Sequence, residues 1–369
     1  MKVVVTGQVG LDKKPFLQRV AALAKQEGFD LTLFHVGDMM YAEAPDVAAG
    51  KILDLPLGRL ENLRRSVFKD ILAESKKAPN VLINTHATFR WRHGLFFAFD
   101  HDQMKRLDAD LYVVLVDGID QVYRRLRHDG HHDPTLKDLM VWREEEILAT
   151  ELLSRLVRGH GRFFICVRGG EEQAQALVRL IFRPEMKKAY LSFPMSHVAD
   201  SPDILADIER FRREMKRYFI CFDPADMEKE KPITFQAIEA ARDGRRTITV
   251  GEGPRRITLE TNDVLGILPD VDGQIYVRDF KLIDQSDMII SLIPELPDGK
   301  PALSSGVERE LQHAHESTRD VFVIWTPRRD PSPFITETAT RVFRSSAEAV
   351  RFFLENHYVV EATNGTLFH

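Results

Sequence analysis

The feature that most limits the fold is a series of short, uninterrupted apolar runs, each ending in a turn signal. VVVTG (3–7), LTLFHVG (31–37), VLINTH (81–86), LYVVLVDG (111–118) and FFICVRG (163–169) occupy the first half. AYLSFP (189–194), FICFDP (219–224), MIISLIP (288–294) and VFVIWTP (321–327) occupy the second. Strands apolar on both sides read as parallel-sheet strands covered by helices on both faces. Helical patterns separate them, among them FLQRVAALAKQEG, QAQALVRLIFRP and PDILADIERFRREMKRY. The expected class is therefore α/β, with two doubly wound parallel sheets. At 369 residues two domains are expected. The boundary falls near Pro184 and the Met186-Lys187-Lys188 linker, giving 1–185 and 186–369.

Between Ala225 and Val277 the pattern becomes irregular and polar. Within it, TITVGEGPRRITLET alternates around Gly-Glu-Gly and reads as a β-hairpin insertion. The core is expected to resume with a helix at FKLIDQSD, placing Asp279 at its N-cap. Net charge is −5 and no basic stripe is evident, so bulk binding to nucleic acid or to an anionic membrane surface is not indicated. No window approaches the roughly 20 apolar residues of a membrane span. The chain opens on a strand, and its only cysteines, Cys166 and Cys221, sit in apolar runs. Together these features point to a cytoplasmic protein with reduced thiols.

Gly7-Gln-Val-Gly10-Leu-Asp-Lys13-Lys14 stands where a phosphate-binding loop belongs, between the first strand and first helix. Asp12 occupies the position of the second loop glycine, and Lys14 that of the magnesium-binding hydroxyl. Either Lys13 and Lys14 neutralise Asp12, or the loop repels phosphate. His128, His131 and His132 stand without a carboxylate or cysteine at ligand spacing, and no metal site is assigned to them. VVVTGQVG, VLINTHATFRWRHG and DLYVVLVDGIDQVYRRLRHD resemble the archaeal-type adenylate kinases over most of residues 1–183. That resemblance implies ATP or another nucleotide at Gly7, Gly10, Lys13 and Lys14. It also implies that Arg124, Arg125 and Arg127 border a lid over the phosphates. The altered loop argues against phosphoryl transfer and leaves nucleotide binding or a scaffold role.

In the second half, SSGVERELQHAHESTRDVFVIW brings Glu308 and Glu310 into the first turns of a helix. Residues two apart on a helix face different ways, so the two are not a facing acid–base pair. Ser304, Ser305 and Gly306 at the helix start offer hydroxyls and amides suited to an anion. AYLSFP, RDFKLIDQSDMIISLI and this segment, in that order, resemble the nucleoside 2-deoxyribosyltransferases and deoxynucleoside 5′-monophosphate N-glycosidases. The resemblance implies Glu310 as nucleophile, Tyr190 orienting it, and Asp279 protonating the departing base. Ser304, where the transferases carry aspartate, implies a nucleoside 5′-monophosphate. Arg278 and Asp287 are the remaining candidate substrate contacts. Asp287 can equally be a structural hydrogen-bonding group, and Arg278 its partner. No cofactor is implied for this chemistry, and a homo-oligomer is. Base exchange, NAD glycohydrolysis in an immune setting and a non-catalytic nucleotide-binding regulator are the alternatives.

Overall fold

A computed structural model describes residues 1–91, 94–128, 134–195, 198, 200–227, 231–251 and 256–360. The side chain of His128, residues His131 and His132, and the Glu252-Gly253 part of the expected turn lie outside them.

In chain order the first elements are β1 (Lys2–Thr6), α1 (Lys13–Gln26), β2 (Thr32–His35), α2 (Val36–Glu43) and α3 (Leu57–Glu74). Then come β3 (Val81–Asn84), β4 (Thr88–Trp91), β5 (Gly94–Phe97), α4 (His101–Leu107) and β6 (Leu111–Val116). They are followed by α5 (Ile119–His128), α6 (Leu136–Arg158), β7 (Phe163–Val167) and α7 (Glu171–Phe182). The chain continues with β8 (Lys188–Ser192), α8 (Pro202–Tyr218), β9 (Ile220–Phe222), α9 (Pro224–Met227) and α10 (Lys231–Arg242). Next are β10 (Thr247–Val250), β11 (Ile257–Glu260), α11 (Thr261–Gly266), α12 (Leu268–Asp284) and β12 (Met288–Ile293). The last elements are α13 (Ser305–Glu316), β13 (Asp320–Trp325), α14 (Pro333–Thr336), β14 (Arg341–Phe343) and α15 (Ser346–Glu355).

The protein is α/β, with two five-stranded parallel sheets. The first has the order β2-β3-β1-β6-β7 and the second β14-β13-β12-β8-β9. Each order reverses direction beside its first strand, β1 in one sheet and β8 in the other. A crevice for ligands is therefore expected at the carboxyl ends of β1 and of β8. Two antiparallel hairpins, β4-β5 and β10-β11, stand apart from the sheets. The second matches the expected insertion hairpin, with Val250 opposite Ile257. The first was not anticipated.

Contacts divide the chain into two compact units, Met1–Phe182 with Asp226–Gln274, and Arg183–Ala225 with Ile275–His369. The segment read as an insertion of the second domain thus clusters with the first. It is also less irregular than its polarity suggested, holding α10 and α11 besides the hairpin. Helix α12 starts twelve residues before the expected Phe280. Gly273 and Pro269 obscured it, yet Pro269 sits in the first turn, where proline is tolerated. Val271, Ile275, Arg278 and Leu282 recur at helical spacing and are buried. Asp279 is therefore an interior helical residue, not an N-cap.

The pleat of the second sheet determines what its two faces carry. Ala189 and Leu191 of β8, Met288, Ile290 and Leu292 of β12, and Phe322 and Ile324 of β13 join one core. That core is closed by Ile204, Ile208, Phe211 and Met215 of α8 and by Ala349, Val350 and Phe353 of α15. Period-two alternation sends Tyr190, Ser192 and Ser291 to the opposite face.

Candidate functional site

On that opposite face α13 lies over the carboxyl ends of β8 and β12. Ser304 begins the helix as N-cap, its hydroxyl accepting from the Val307 amide at 3.2 Å. One and a half turns further, Glu310 meets the sheet. The Tyr190 hydroxyl donates to Glu310 Oε1 at 3.0 Å, and the Ser192 hydroxyl donates to Oε2 at 2.6 Å. The Ser291 hydroxyl in turn donates to Ser192 Oγ at 3.3 Å. Tyr190, Ser192 and Ser291 are completely buried, whereas Glu310 is only half-buried. Buried hydroxyls on a rigid sheet thus hold both oxygens of a carboxylate that is itself only half-buried. Such a carboxylate is oriented and needs no rotamer search before reacting.

Tyr190 and Glu310 meet, as the motif resemblance implied. Ser192 was missed, although two residues on from Tyr190 in one strand means the same face. Glu308 turns away and lines a groove of about 610 Å³ with Tyr276, Phe280, His313 and Phe334. Ser305 opens onto the same groove. Ser305 and Gly306 are exposed in the first turn, where amides lack partners in the helical ladder. Asp279 is half-buried on the α12 turn facing inward with Ile275, Leu282 and Ile283. Its neighbour Phe280 stacks on His313 with ring centroids 4.4 Å apart. This contact sets α12 and α13 side by side, Asp279 one residue and Glu310 three residues before the stacked pair. Arg278 is buried, 3% exposed, beneath the same helix.

The Asp287 carboxylate accepts from the Lys188 amide at 2.8 Å and lies 3.0 Å from the Lys188 ammonium. Lys188 opens β8, so Asp287 ties the amino ends of β8 and β12 together. Four residues of strand, about 13 Å, separate that end from Ser192. Asp287 thus takes the structural hydrogen-bonding role that the sequence left open, at the strand ends away from Ser192.

Removing either hydroxyl from Glu310 gives a direct prediction. Tyr190→Phe and Ser192→Ala each delete one hydrogen bond to a charged group, about 1.5–3 kcal/mol. For the glycosidic reaction that the motif resemblance implies, turnover should fall about ten- to a hundredfold in each, with KM little changed. Steady-state kinetics showing full kcat in both variants would remove these residues from the reaction.

In the first unit the loop after β1 depends on two glycines. Gly7 has φ 139°, and a Cβ there would lie 2.7 Å from the Leu115 carbonyl oxygen. Gly10 has φ 84°, and a Cβ there would meet Leu126 Cγ at 2.7 Å. Lys13 is 6% exposed and folds back over the loop. Its ammonium donates to Gly7 O at 2.6 Å and to His86 Nδ1 at 3.2 Å. Burial lowers its pKa to about 7, against the opposing pull of Glu146. Burial, with the charge of Lys13, also holds His86 well below the usual imidazole value. Glu146, 1% exposed, accepts from the amides of Gly7 (3.0 Å), Ala87 (2.7 Å) and Thr88 (2.8 Å) and from the Thr88 hydroxyl (2.6 Å). Four donors compensate the desolvation of that carboxylate.

Asp12, in the left-handed region at φ 52°, is not neutralised by the two lysines. Lys14 pairs with Asp38 at 2.6 Å, and Asp12 pairs with Arg168 at 3.2 Å. Arg168 follows β7 directly, and nothing in the local sequence links it to residue 12. Arg125 reaches the loop itself, donating to Gly10 O at 2.7 Å and to Asp117. Arg124 donates to Gln121 of its own helix, and the Arg127 guanidinium lies 5.4 Å from the Tyr123 ring centroid.

A family model described as an AAA domain matches residues 6–142. Adenylate kinase of Pyrococcus furiosus is 28% identical over 157 residues, 42% of this chain and 76% of that protein. Adenylate kinase of Pyrococcus horikoshii is 29% identical over 161 residues, with the same shares covered. Among solved structures, shikimate kinase from Bacteroides thetaiotaomicron aligns with a TM-score of 0.35 at 13% identity. That alignment covers 50% of this chain and 98% of the other. Over its N-terminal half the chain is thus similar to adenylate kinases at 28–29% identity. Among the described residues no helix is long and apolar enough to cross a membrane.

Proposed function

We propose that the second unit cleaves the N-glycosidic bond of a nucleoside or deoxynucleoside 5′-monophosphate, and that the first unit binds a nucleotide such as ATP. One observation carries the first part. Glu310 is oriented by Tyr190 and Ser192 at the carboxyl end of β8, where the strand order reverses. The motif resemblance to the deoxyribosyltransferases supports it, because it names the same tyrosine and glutamate.

In this reading the Glu310 carboxylate attacks the anomeric carbon and forms a glycosyl ester. The bond between that carbon and the base nitrogen breaks, its electron pair leaves with the base, and Asp279 supplies the proton. Water then attacks the same carbon, Asp279 takes back a proton, and Glu310 is released. The products are a free base and a sugar 5-phosphate. The phosphate is held at Ser304, Ser305 and Gly306 by first-turn amides and the helix dipole. Arg278, buried on α12, is the candidate cation for the anionic substrate in this reading. Neither step calls for a cofactor.

The test is chromatographic: incubate the full chain with nucleoside 5′-monophosphates, the matching nucleosides and NAD, and measure released base. Monophosphates should turn over at least about a hundredfold faster than nucleosides, since a charged anchor is worth some 3 kcal/mol. Labelled acceptor base entering nucleotide would make the reaction exchange, and nicotinamide release would make NAD the substrate. No base from any compound would overturn the reading. For the first unit, the support is the loop architecture and its likeness to adenylate kinases.

A further inference from the structure

We propose that α6 is the interface of a two-fold homodimer, formed by two copies of this helix packed antiparallel. The helix already has one apolar face in the core of its own unit, with Leu139, Met140, Ile147 and Leu153 buried. It carries a second apolar face that is not buried. Val141, Leu148, Leu152 and Leu156 are 38%, 66%, 45% and 56% exposed. Their spacing of seven, four and four residues places them on one stripe, about 23 Å long at the rise of an α-helix. Single exposed leucines are ordinary, but an aligned row marks a surface that is covered in the functional state. A capping box between Thr135 and Asp138 secures the start of the helix, so the stripe is presented on a firm platform.

Charge selects the occupant and its direction. Glu144 and Glu145 flank the amino-terminal part of the stripe, Glu151 lies beside its middle, and Arg155 and Arg158 follow in the last turns. A parallel pair would set like charges against each other. An antiparallel pair with its axis between Leu148 and Leu152 places each Leu148 against Leu152 of the second copy. It also places each Arg155 against the second copy's Glu145, and symmetry makes that contact twice. Glu145 is already gripped by Arg90 at 2.8 and 3.0 Å, and Arg155 by Glu151 at 2.5 Å. Association therefore joins two existing surface pairs into one network around an apolar seam, the arrangement that charge pairing beside a coiled-coil stripe provides.

Sedimentation equilibrium of the full chain tests this. The wild type should sediment at twice the chain mass at about 50 μM, a concentration at which standard-size interfaces are occupied. Leu148→Glu should raise the dissociation constant at least about a hundredfold. Arg155→Glu and Glu145→Arg should each weaken the dimer about tenfold, and the double variant should recover part of that loss relative to either single variant. Recovery is partial because the pair between copies is reversed while Arg90 and Glu151 each gain a like-charged neighbour. Since both charges lie on the surface, this series decides the matter even if Leu148→Glu folds poorly. A monomeric wild type, a dimer indifferent to Leu148→Glu, or charge reversals that fail to compensate would each overturn the proposal.

Discussion

Glu310→Gln should abolish base release while leaving the protein folded. The substitution keeps the side-chain shape and a carbonyl oxygen that can still accept from Tyr190. Its amide nitrogen meets Ser192, whose hydroxyl can turn and accept instead of donating. The hydrogen bonds seen at 3.0 and 2.6 Å therefore have neutral counterparts. The negative charge and the nucleophilic oxygen do not. Removing a covalent nucleophile commonly costs about 10⁴-fold or more in turnover. The check has two parts: a rate on the best nucleotide of the panel, and a thermal melt. A melt within a few degrees of wild type with residual rate below about one part in a thousand is the expected result. A variant that still releases base at an undiminished rate would show that the carboxylate is structural, and the proposed reaction would fall with it.

The second large effect concerns pH and the first unit. With its pKa lowered to about 7 by burial, Lys13 is mostly neutral at pH 8 in the free protein. A bound phosphate favours the ammonium form, so the pKa in the complex must lie above that in the free protein. Binding then takes up a proton above pH 7. Affinity is greatest when Lys13 is already charged and falls as pH rises past its free value, by as much as about tenfold per unit. His86, kept neutral by burial and by Lys13, adds no opposing step in this range. Titration calorimetry with ATP between pH 7.5 and 9, where the phosphate itself is fully ionised, should show the decline, and the heats should vary with buffer as protons are taken up. Lys13→Met should bind weakly and without that slope. A flat affinity across the range in the wild type would mean that Lys13 does not face the ligand's charge.

How much of this was visible in the chain itself varies by the kind of contact. The nine apolar runs were readable as parallel strands because a strand covered on both faces admits no polar alternation, and each run supplies a strand of a sheet. Gly7 and Gly10 announced a tight loop, and the backbone there leaves no room for a Cβ. The pairing of Tyr190 with Glu310, 120 residues apart, was legible only through the motif resemblance, since no local rule connects them. Ser192 was within reach of a local rule, the two-residue period of β8, but a serine between apolar neighbours carries no signal of its own. Helix α12 was obscured at its start because glycine and proline outweighed a periodic buried face.

What the amino-acid order determined by itself is local and periodic: strand runs, helical stripes, the glycine loop and the first turn of α13. These follow from backbone sterics and from side-chain spacing, which act within a few residues. The tertiary structure alone decided the partners of the charges. Asp12 found Arg168 across 156 residues, Lys14 turned to Asp38, Asp287 clamped Lys188, and segment 226–274 joined the unit that precedes it. A surface ion can choose among many oppositely charged groups at nearly equal energy, so only the folded geometry selects one.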